Sequence, residues 1–361
     1  MIKIGGSGPL TGPAAIYGNS VKTAAEMAVE EVNAKGGVQF ELQFEDDKHD
    51  AEEAVTAYST LKDGGMQISL ETVTSTPGAA VSPLYQEDKI FAITPSGSSP
   101  SVIYADGEAQ TDAYGNIFQM CFSDPNQGSE SAAYIAAHPD LGSRIAVIYK
   151  NDDFFSKSVF DTFKAQAATE GLEIVYEGTF KGEESDFNEQ LGDAQAAGAD
   201  LLFLPIYYNY ASQILTQADK MGYKPTVFGV DAMDGILSVE DFDTSLAEGV
   251  YLLTPFVATA EDEMTKTFVE NYKARTNGEV PNEFAADAYD CIYAMAQACE
   301  AAGITADMSN EEICAAMVEQ FTSMTFNGLT GSDMSWNENG EVTKAPKAMI
   351  IEYGDYVPAT E

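Results

Sequence analysis

Two short stretches carry the residue types that can do chemistry in this chain. Ile68-Ser-Leu-Glu-Thr-Val-Thr-Ser-Thr-Pro-Gly78 and Lys89-Ile-Phe-Ala-Ile-Thr-Pro-Ser-Gly-Ser-Ser-Pro100 both begin apolar and end in small hydroxyl residues. Each reads as a buried parallel strand that opens into a serine-rich loop, the place where open α/β sheets bind ligands. Ser75, Ser96 and Ser98 then stand where hydroxyls and backbone N–H groups, helped by a helix N-terminal dipole, can hold a carboxylate. The same serines serve equally well as helix caps and turn formers. Further along, Pro205-Ile-Tyr-Tyr-Asn-Tyr210 follows one apolar run, and Asp231 follows another, Thr226-Val-Phe-Gly-Val230. A phenol and a carboxylate at such strand ends can hold an ammonium group by charge-assisted hydrogen bonds. The pattern leaves that phenol open among Tyr207, Tyr208 and Tyr210. A zwitterionic ligand would satisfy the hydroxyls on one side and the carboxylate on the other.

Other chemistries fit poorly. The turn Gly5-Gly-Ser-Gly-Pro-Leu-Thr-Gly12 lies between a strand and a helix but matches neither GxGxxG nor GxxxxGK[ST]. No GxSxG elbow occurs, and the two histidines, His49 and His138, read as solvated loop residues, which leaves no base for a serine nucleophile. With no CxxC among Cys121, Cys291, Cys299 and Cys314, zinc is not expected, and the four cysteines read as buried free thiols. Asp231-Ala-Met-Asp-Gly235 lacks the alternating oxygen ligands of a calcium loop. No cofactor is expected. The formal net charge of −40, from 18 basic and 58 acidic residues, repels phosphate backbones and argues against nucleic acid as a partner.

These groups need a scaffold that brings strand ends together. Strand and helix alternate from Ile2 to about residue 120, with helices expected over 18–34, 51–62 and 79–87, the second capped by Asp50 and the first closed by Gly36-Gly37. A second alternating set starts at Arg144-Ile-Ala-Val-Ile-Tyr149 and runs to Val230. Such alternation means parallel βαβ units, hence an α/β chain of two similar lobes. Helices are expected near 262–275, 284–302 and 309–321, and a hairpin around Asn339-Gly340 ends the chain. No flexible linker separates the lobes, which points to several short crossings and a hinge. No apolar run approaches the roughly 20 residues of a membrane span. Met1 is followed at once by strand-like Ile2-Lys-Ile-Gly, so the chain reads as a cytoplasmic protein or as a mature exported one without its leader.

Taken together, Gly8-Pro-Leu-Thr-Gly-Pro13, Tyr17-Gly18, Glu30-Glu-Val-Asn-Ala-Lys-Gly-Gly37, Asp46-Asp47, Ile93-Thr-Pro-Ser96, Arg144-Ile-Ala-Val-Ile148 and Gln213-Ile-Leu215 resemble the type I periplasmic binding proteins of branched-chain amino-acid ABC transporters, over nearly the whole length. The resemblance implies two Rossmann-like lobes joined by a three-crossing hinge, with lobe I at 1–120 plus 252–328 and lobe II at 121–251 plus 329–361. It implies Ser75, Ser96 (through its backbone) and Ser98 as binders of a ligand carboxylate, and Tyr207 and Asp231 as partners of its ammonium. Tyr17, Val73, Thr74, Phe155 and Phe284 are implied as the side-chain pocket. Asp231 stands where the family commonly has glutamate, and Phe155 where it has tyrosine. Some members carry a disulfide whose two positions match His49 and Thr74, so both cysteines are absent here.

The function so implied involves no bond-making. A monomer captures an amino acid, most simply leucine, isoleucine or valine, and delivers it to the permease of an ABC transporter on the extracytoplasmic face, in a periplasm or on a lipid-anchored surface. The same fold could instead bind another small carboxylate or an aromatic amino acid, or act as a sensor domain.

Overall fold

A computed structural model describes residues 1–359. Strand and helix alternate from the start: β1 (Ile2–Gly8), α1 (Ala15–Ala34), β2 (Phe40–Asp46), α2 (Ala51–Asp63), β3 (Ile68–Thr72), α3 (Ser75–Asp88), β4 (Phe91–Thr94), the single-turn α4 (Pro100–Ile103) and β5 (Ile117–Gln119). Next come α5 (Asp124–Ala137), β6 (Arg144–Lys150), α6 (Phe154–Glu170), β7 (Glu173–Phe180), α7 (Asn188–Ala196), β8 (Leu201–Leu204), α8 (Tyr208–Lys220), β9 (Thr226–Gly229) and β10 (Tyr251–Thr254). The chain closes with α9 (Glu263–Arg275), α10 (Glu283–Ala302), α11 (Asn310–Phe321), β11 (Lys347–Glu352) and β12 (Asp355–Pro358).

Local chemistry explains most boundaries. Asp50 caps α2 by accepting from the N–H groups of Glu52 and Glu53, and Gly36 takes the left-handed φ of +79° that ends α1. Four helices start earlier than their periodicity predicts, α1 at Ala15 rather than Gly18 among them. α3 begins at Ser75 rather than Ala79, because Pro77 sits in the first turn, where its missing N–H has no carbonyl waiting. The residue pattern of the second set predicts helices over 157–169 and 211–221, but α6 and α8 begin three residues earlier, at Phe154 and Tyr208, which puts the aromatic candidates at helix starts.

Two compact units result, one of Met1–Ser123 with Ala260–Ala345, the other of Asp124–Thr259 with the chain from Pro346 on. Among the described residues the first unit holds a five-stranded parallel sheet in the order β2-β1-β3-β4-β5. The second holds a seven-stranded sheet, β12-β11-β10-β9-β8-β6-β7, parallel from β10 to β7 and antiparallel at β11 and β12.

The segment 329–345, expected in the second lobe, lies in the first unit. Three contacts place it there. The Leu329 and Thr330 amides donate to the buried carboxylate of Asp290 on α10, at 2.9 Å each. Trp336 Nε1 donates to the carbonyl of Gln119 at 2.8 Å. Lys344 Nζ, fully buried, reaches the fully buried Asp287 Oδ1 at 2.7 Å and the Thr330 hydroxyl at 2.6 Å. The expected terminal hairpin also differs. Asn339-Gly340 does form a turn, with Trp336 bridging Val342, but the strand beyond it, β11, pairs with β10 and, through Tyr353-Gly354, with β12. Four aromatic side chains (Phe91, Phe118, Phe321 and Trp336) pack behind the first sheet at centroid distances of 4.8–5.4 Å. No helix among the described residues is long and apolar enough to cross a membrane.

Candidate functional site

In a parallel sheet all strand C-termini lie along one edge, and ligands bind where the strand order reverses. That reversal falls between β1 and β3 in the first unit and between β6 and β8 in the second. The candidate residues cluster at these two places, each described here within its own unit.

In the first unit the end of β3 supplies Val73, Thr74 and Ser75, and the loop after β4 supplies Ser96 and Ser98; all five are buried. The two strand ends are tied together. Thr94 Oγ1 donates to the Thr72 carbonyl at 2.7 Å and accepts from the Gly97 amide at 2.8 Å. Ser96 Oγ donates to the Val73 carbonyl at 2.5 Å, which commits that hydroxyl to the scaffold. Ser75, the first residue of α3, accepts from the Ser99 amide at 3.2 Å, so its own hydrogen points elsewhere. Gln119 Nε2 on β5 holds the loop from below through the carbonyls of Gly97 and Ser99. Tyr17 on α1 packs against Phe284 on α10 with ring centroids 4.5 Å apart. Gly18 beside it lets the loop after β1 lie against α1: a Cβ there would lie 2.0 Å from the Pro9 carbonyl oxygen. Asp46, at the end of β2, accepts from the Leu10 amide and the Thr11 hydroxyl and so pins the loop that follows β1.

Beneath these serines lies a carboxyl that residue pattern did not single out. Glu71 on β3 is fully buried at a bulge, where φ is +30° and the register against β1 shifts. Burial pushes its carboxyl up to about 8. Its neighbour Ser82 Oγ lies 3.0 Å from Glu71 Oε1, 2.8 Å from the Gly78 carbonyl and 2.7 Å from the Val102 carbonyl. One hydroxyl hydrogen cannot serve three acceptors. A protonated Glu71 that donates to Ser82 leaves the Ser82 hydrogen for the two carbonyls.

In the second unit Phe155, at the start of α6, stacks on Tyr207, the N-cap of α8, at 5.3 Å and 10°. Phe155 is 3% exposed whereas Phe154 is 48% exposed, so burial separates the two. Tyr210 is likewise distinguished from Tyr207, because its hydroxyl donates to the Gly182 carbonyl at 3.2 Å. Ser156 fixes the start of α6 against β8 by donating to the Pro205 carbonyl at 2.6 Å. Asp231, directly after β9 and its flanking Val230, is buried.

Gln127 is the residue that sequence reasoning missed here. From α5 its Nε2 donates to Asp231 Oδ2 at 2.9 Å, and its Oε1 lies 3.4 Å from the Asp231 amide. The whole of α5 escaped because Asp124-Pro-Asn-Gln-Gly-Ser129 has little apolar periodicity, though Asp-Pro is itself a helix-start signal. Gln127→Ala should remove the amide that orients the Asp231 carboxylate. We expect ligand affinity to fall about tenfold, the cost of one hydrogen bond to a charged group, as read by titration calorimetry.

Both histidines depart from the solvated-loop expectation. His138 stacks on Tyr134 at 4.0 Å, with Nδ1 2.8 Å from the Tyr134 carbonyl. His49 is half-buried, with Nδ1 2.9 Å from Thr74 Oγ1, so the two positions that the resemblance matched to a disulfide are joined here by a hydrogen bond. All four cysteines are buried, and burial pushes the Cys299 thiol up to about 12 and that of Cys314 to about 11. Among the described residues no group of three or more His, Cys, Asp or Glu side chains could hold a metal ion. A cavity of about 600 Å³ in the second unit, lined in part by Tyr134, His138, Leu253 and Met349, includes neither Tyr207 nor Asp231.

Groups that can grip a charged ligand, set at the switch points of two α/β units, define a solute-binding protein. The chain belongs to the periplasmic binding protein family, whose model matches residues 1–351. It is 26% identical over 345 residues to the leucine-, isoleucine-, valine-, threonine- and alanine-binding protein of Pseudomonas aeruginosa, covering 94% of this chain and 87% of that protein. Its fold is similar to that of LivJ from Streptococcus pneumoniae, a branched-chain amino acid transporter substrate-binding protein solved in complex with isoleucine (TM-score 0.86, 25% identity, 99% of this chain and 100% of that one). The leucine-binding protein LivK of Thermotoga maritima shares the fold (TM-score 0.86, 24% identity, 100% and 98%). Membership places the chain among binding proteins of the extracytoplasmic face.

Proposed function

We propose that this protein captures an aliphatic amino acid, leucine, isoleucine or valine, and delivers it to an ABC transporter permease. The observation that carries the reading is the buried Asp231 carboxylate, oriented by Gln127 at the C-terminal end of β9. A carboxylate so placed is suited to an ammonium, and Tyr207 beside α8 supplies the second acceptor. Ser75, Ser98 and the backbone at Ser96 take the ligand carboxylate, with the first turn of α3 adding its dipole. Tyr17, Val73, Thr74, Phe155 and Phe284 enclose the side chain. The chain passes between the two units three times. The protein acts as a monomer, in a periplasm or tethered to the outer surface.

The relatives that bind branched-chain amino acids support this reading. A thermal-shift panel of the twenty amino acids tests it. Leucine, isoleucine and valine are expected to raise the melting temperature most. Each buried methylene contributes about 0.8 kcal/mol, so leucine should bind about two decades more tightly than alanine. A panel in which no aliphatic amino acid shifts the transition, or in which an aromatic one dominates, would remove the ligand class.

A further inference from the structure

Thr74 stands at the N-cap of α3 with extended backbone, φ −120° and ψ 152°. A threonine there ordinarily turns its hydroxyl onto the first amides of the helix. In this chain no such cap bond forms, and the hydroxyl lies 2.9 Å from His49 Nδ1 instead. The imidazole is itself held in place. Lys48 and His49 both adopt left-handed backbone, φ +53° and +59°, a conformation uncommon for residues with a Cβ. The buried carboxylate of Asp47 stabilises this turn: Oδ1 accepts from the His49 amide and Oδ2 from the Ser7 hydroxyl, each at 3.0 Å. A chain of polar contacts thus runs from the end of β1, through Asp47 and His49, to the residue that opens α3.

We propose that His49 is a positioning residue for the ligand carboxylate, acting through the Thr74 hydroxyl, and that protonation of its imidazole tightens ligand capture. The inference rests on the amino-acid reading above. A threonine hydroxyl has one hydrogen, and a neutral imidazole can offer Nδ1 as acceptor or donor, whereas an imidazolium only donates. When Nδ1 accepts, the Thr74 hydrogen points at His49. Once the ring is protonated, Thr74 Oγ1 must accept, and its hydrogen turns toward the first turn of α3, where the carboxylate is bound. The ring's positive charge acts in the same direction.

The charged and titratable groups tied to this turn come from several elements. Asp46, Lys48 and Asp50 flank it, with Asp46 and Asp50 both acting on Asp47. Glu53 on α2 pairs with Lys48 at 2.8 Å. Tyr85 on α3 feels both Asp47 and Glu71. Burial pushes Asp47 up to about 6, within the range over which histidine titrates, so the two must be separated by mutation.

Leucine affinity measured by titration calorimetry between about pH 5.5 and 8.5 tests the idea. The wild-type protein should bind about three- to tenfold more tightly at the acid end. His49→Gln keeps an amide donor for Thr74 but has no proton to gain, and its profile should be flat. Asp47→Asn should retain the slope. If His49→Gln does not fold, Thr74→Val supplies the same test, because the hydroxyl that transmits the effect is gone. A His49→Gln profile as steep as wild type overturns the proposal, and so does a flat wild-type profile with leucine bound throughout, which leaves the amino-acid reading standing. If no amino acid binds at any pH, both fall together.

Discussion

Asp231→Ala should weaken leucine binding by about two to three and a half decades while leaving the melting temperature of the ligand-free protein nearly unchanged. The magnitude follows from what remains after truncation. An ammonium enclosed with a ligand has been stripped of water, and deleting its anionic partner leaves that charge without compensation, at a cost of about 3–5 kcal/mol. Gln127 cannot compensate, since the Nε2 it aims at Asp231 is a donor. Asp231→Asn keeps the side-chain length but loses the charge, and should fall between wild type and Asp231→Ala. Calorimetric affinities within about threefold of wild type for Asp231→Ala would remove this residue from the site.

The second large effect concerns stability and pH. Burial holds the Glu71 carboxyl at about 8 in the folded protein, against 4.5 for a free side chain. A raised folded value means that the neutral acid is favoured by folding. Its contribution is fully present below pH 4.5 and is lost as pH rises through 8, because the unfolded chain ionises and the folded one resists. At about 1.4 kcal/mol per unit, the total is on the order of 5 kcal/mol. Asp47 and Asp290, each pushed up to about 6 by burial, contribute in the same direction but only up to that pH. Above about pH 6 those two no longer contribute, and between there and pH 8 the difference between wild type and Glu71→Gln reads the share of Glu71. Urea denaturation across that interval should show a declining unfolding free energy for wild type and a flatter line for Glu71→Gln, which is also the more stable of the two at the alkaline end. Parallel lines would mean that Glu71 is already ionised in the folded state.

Much of the architecture was legible because parallel βαβ units leave a strong trace. Leu201–Leu204 is buried at every position and apolar throughout, the central Ile145–Ile148 of β6 likewise, and the helices between them show one apolar stripe. The serine-rich ends of β3 and β4 were visible for the same reason: a hydrophobic strand that stops in hydroxyls is a local pattern. What escaped were relations between distant residues. Gln127 and Asp231 are 104 positions apart, and nothing in either neighbourhood announces the other. His49 looked solvated because Asp46, Asp47, Lys48 and Asp50 surround it, whereas two left-handed residues turn its ring back onto Thr74. The placement of 329–345 depended on a lysine that reads as surface by type and is buried by its pairing with Asp287. Local reasoning could separate Phe155 from Phe154 only once the start of α6 was known.

The buried Lys344 has a mechanical consequence. Its ammonium is fastened in the first unit, and Lys347 is already registered opposite Thr254 in the sheet of the second. Only Ala345 and Pro346 lie between these two fixed points. Two residues span at most about 7 Å, the proline ring locks one φ, and the residue before a proline is confined to extended backbone. This passage is a short strut with almost no slack, and twisting there is confined to very few torsions. Glycine inserted between Lys344 and Lys347 would turn the strut into a tether and loosen this one of the three passages between the units, without altering the strand-end residues of either.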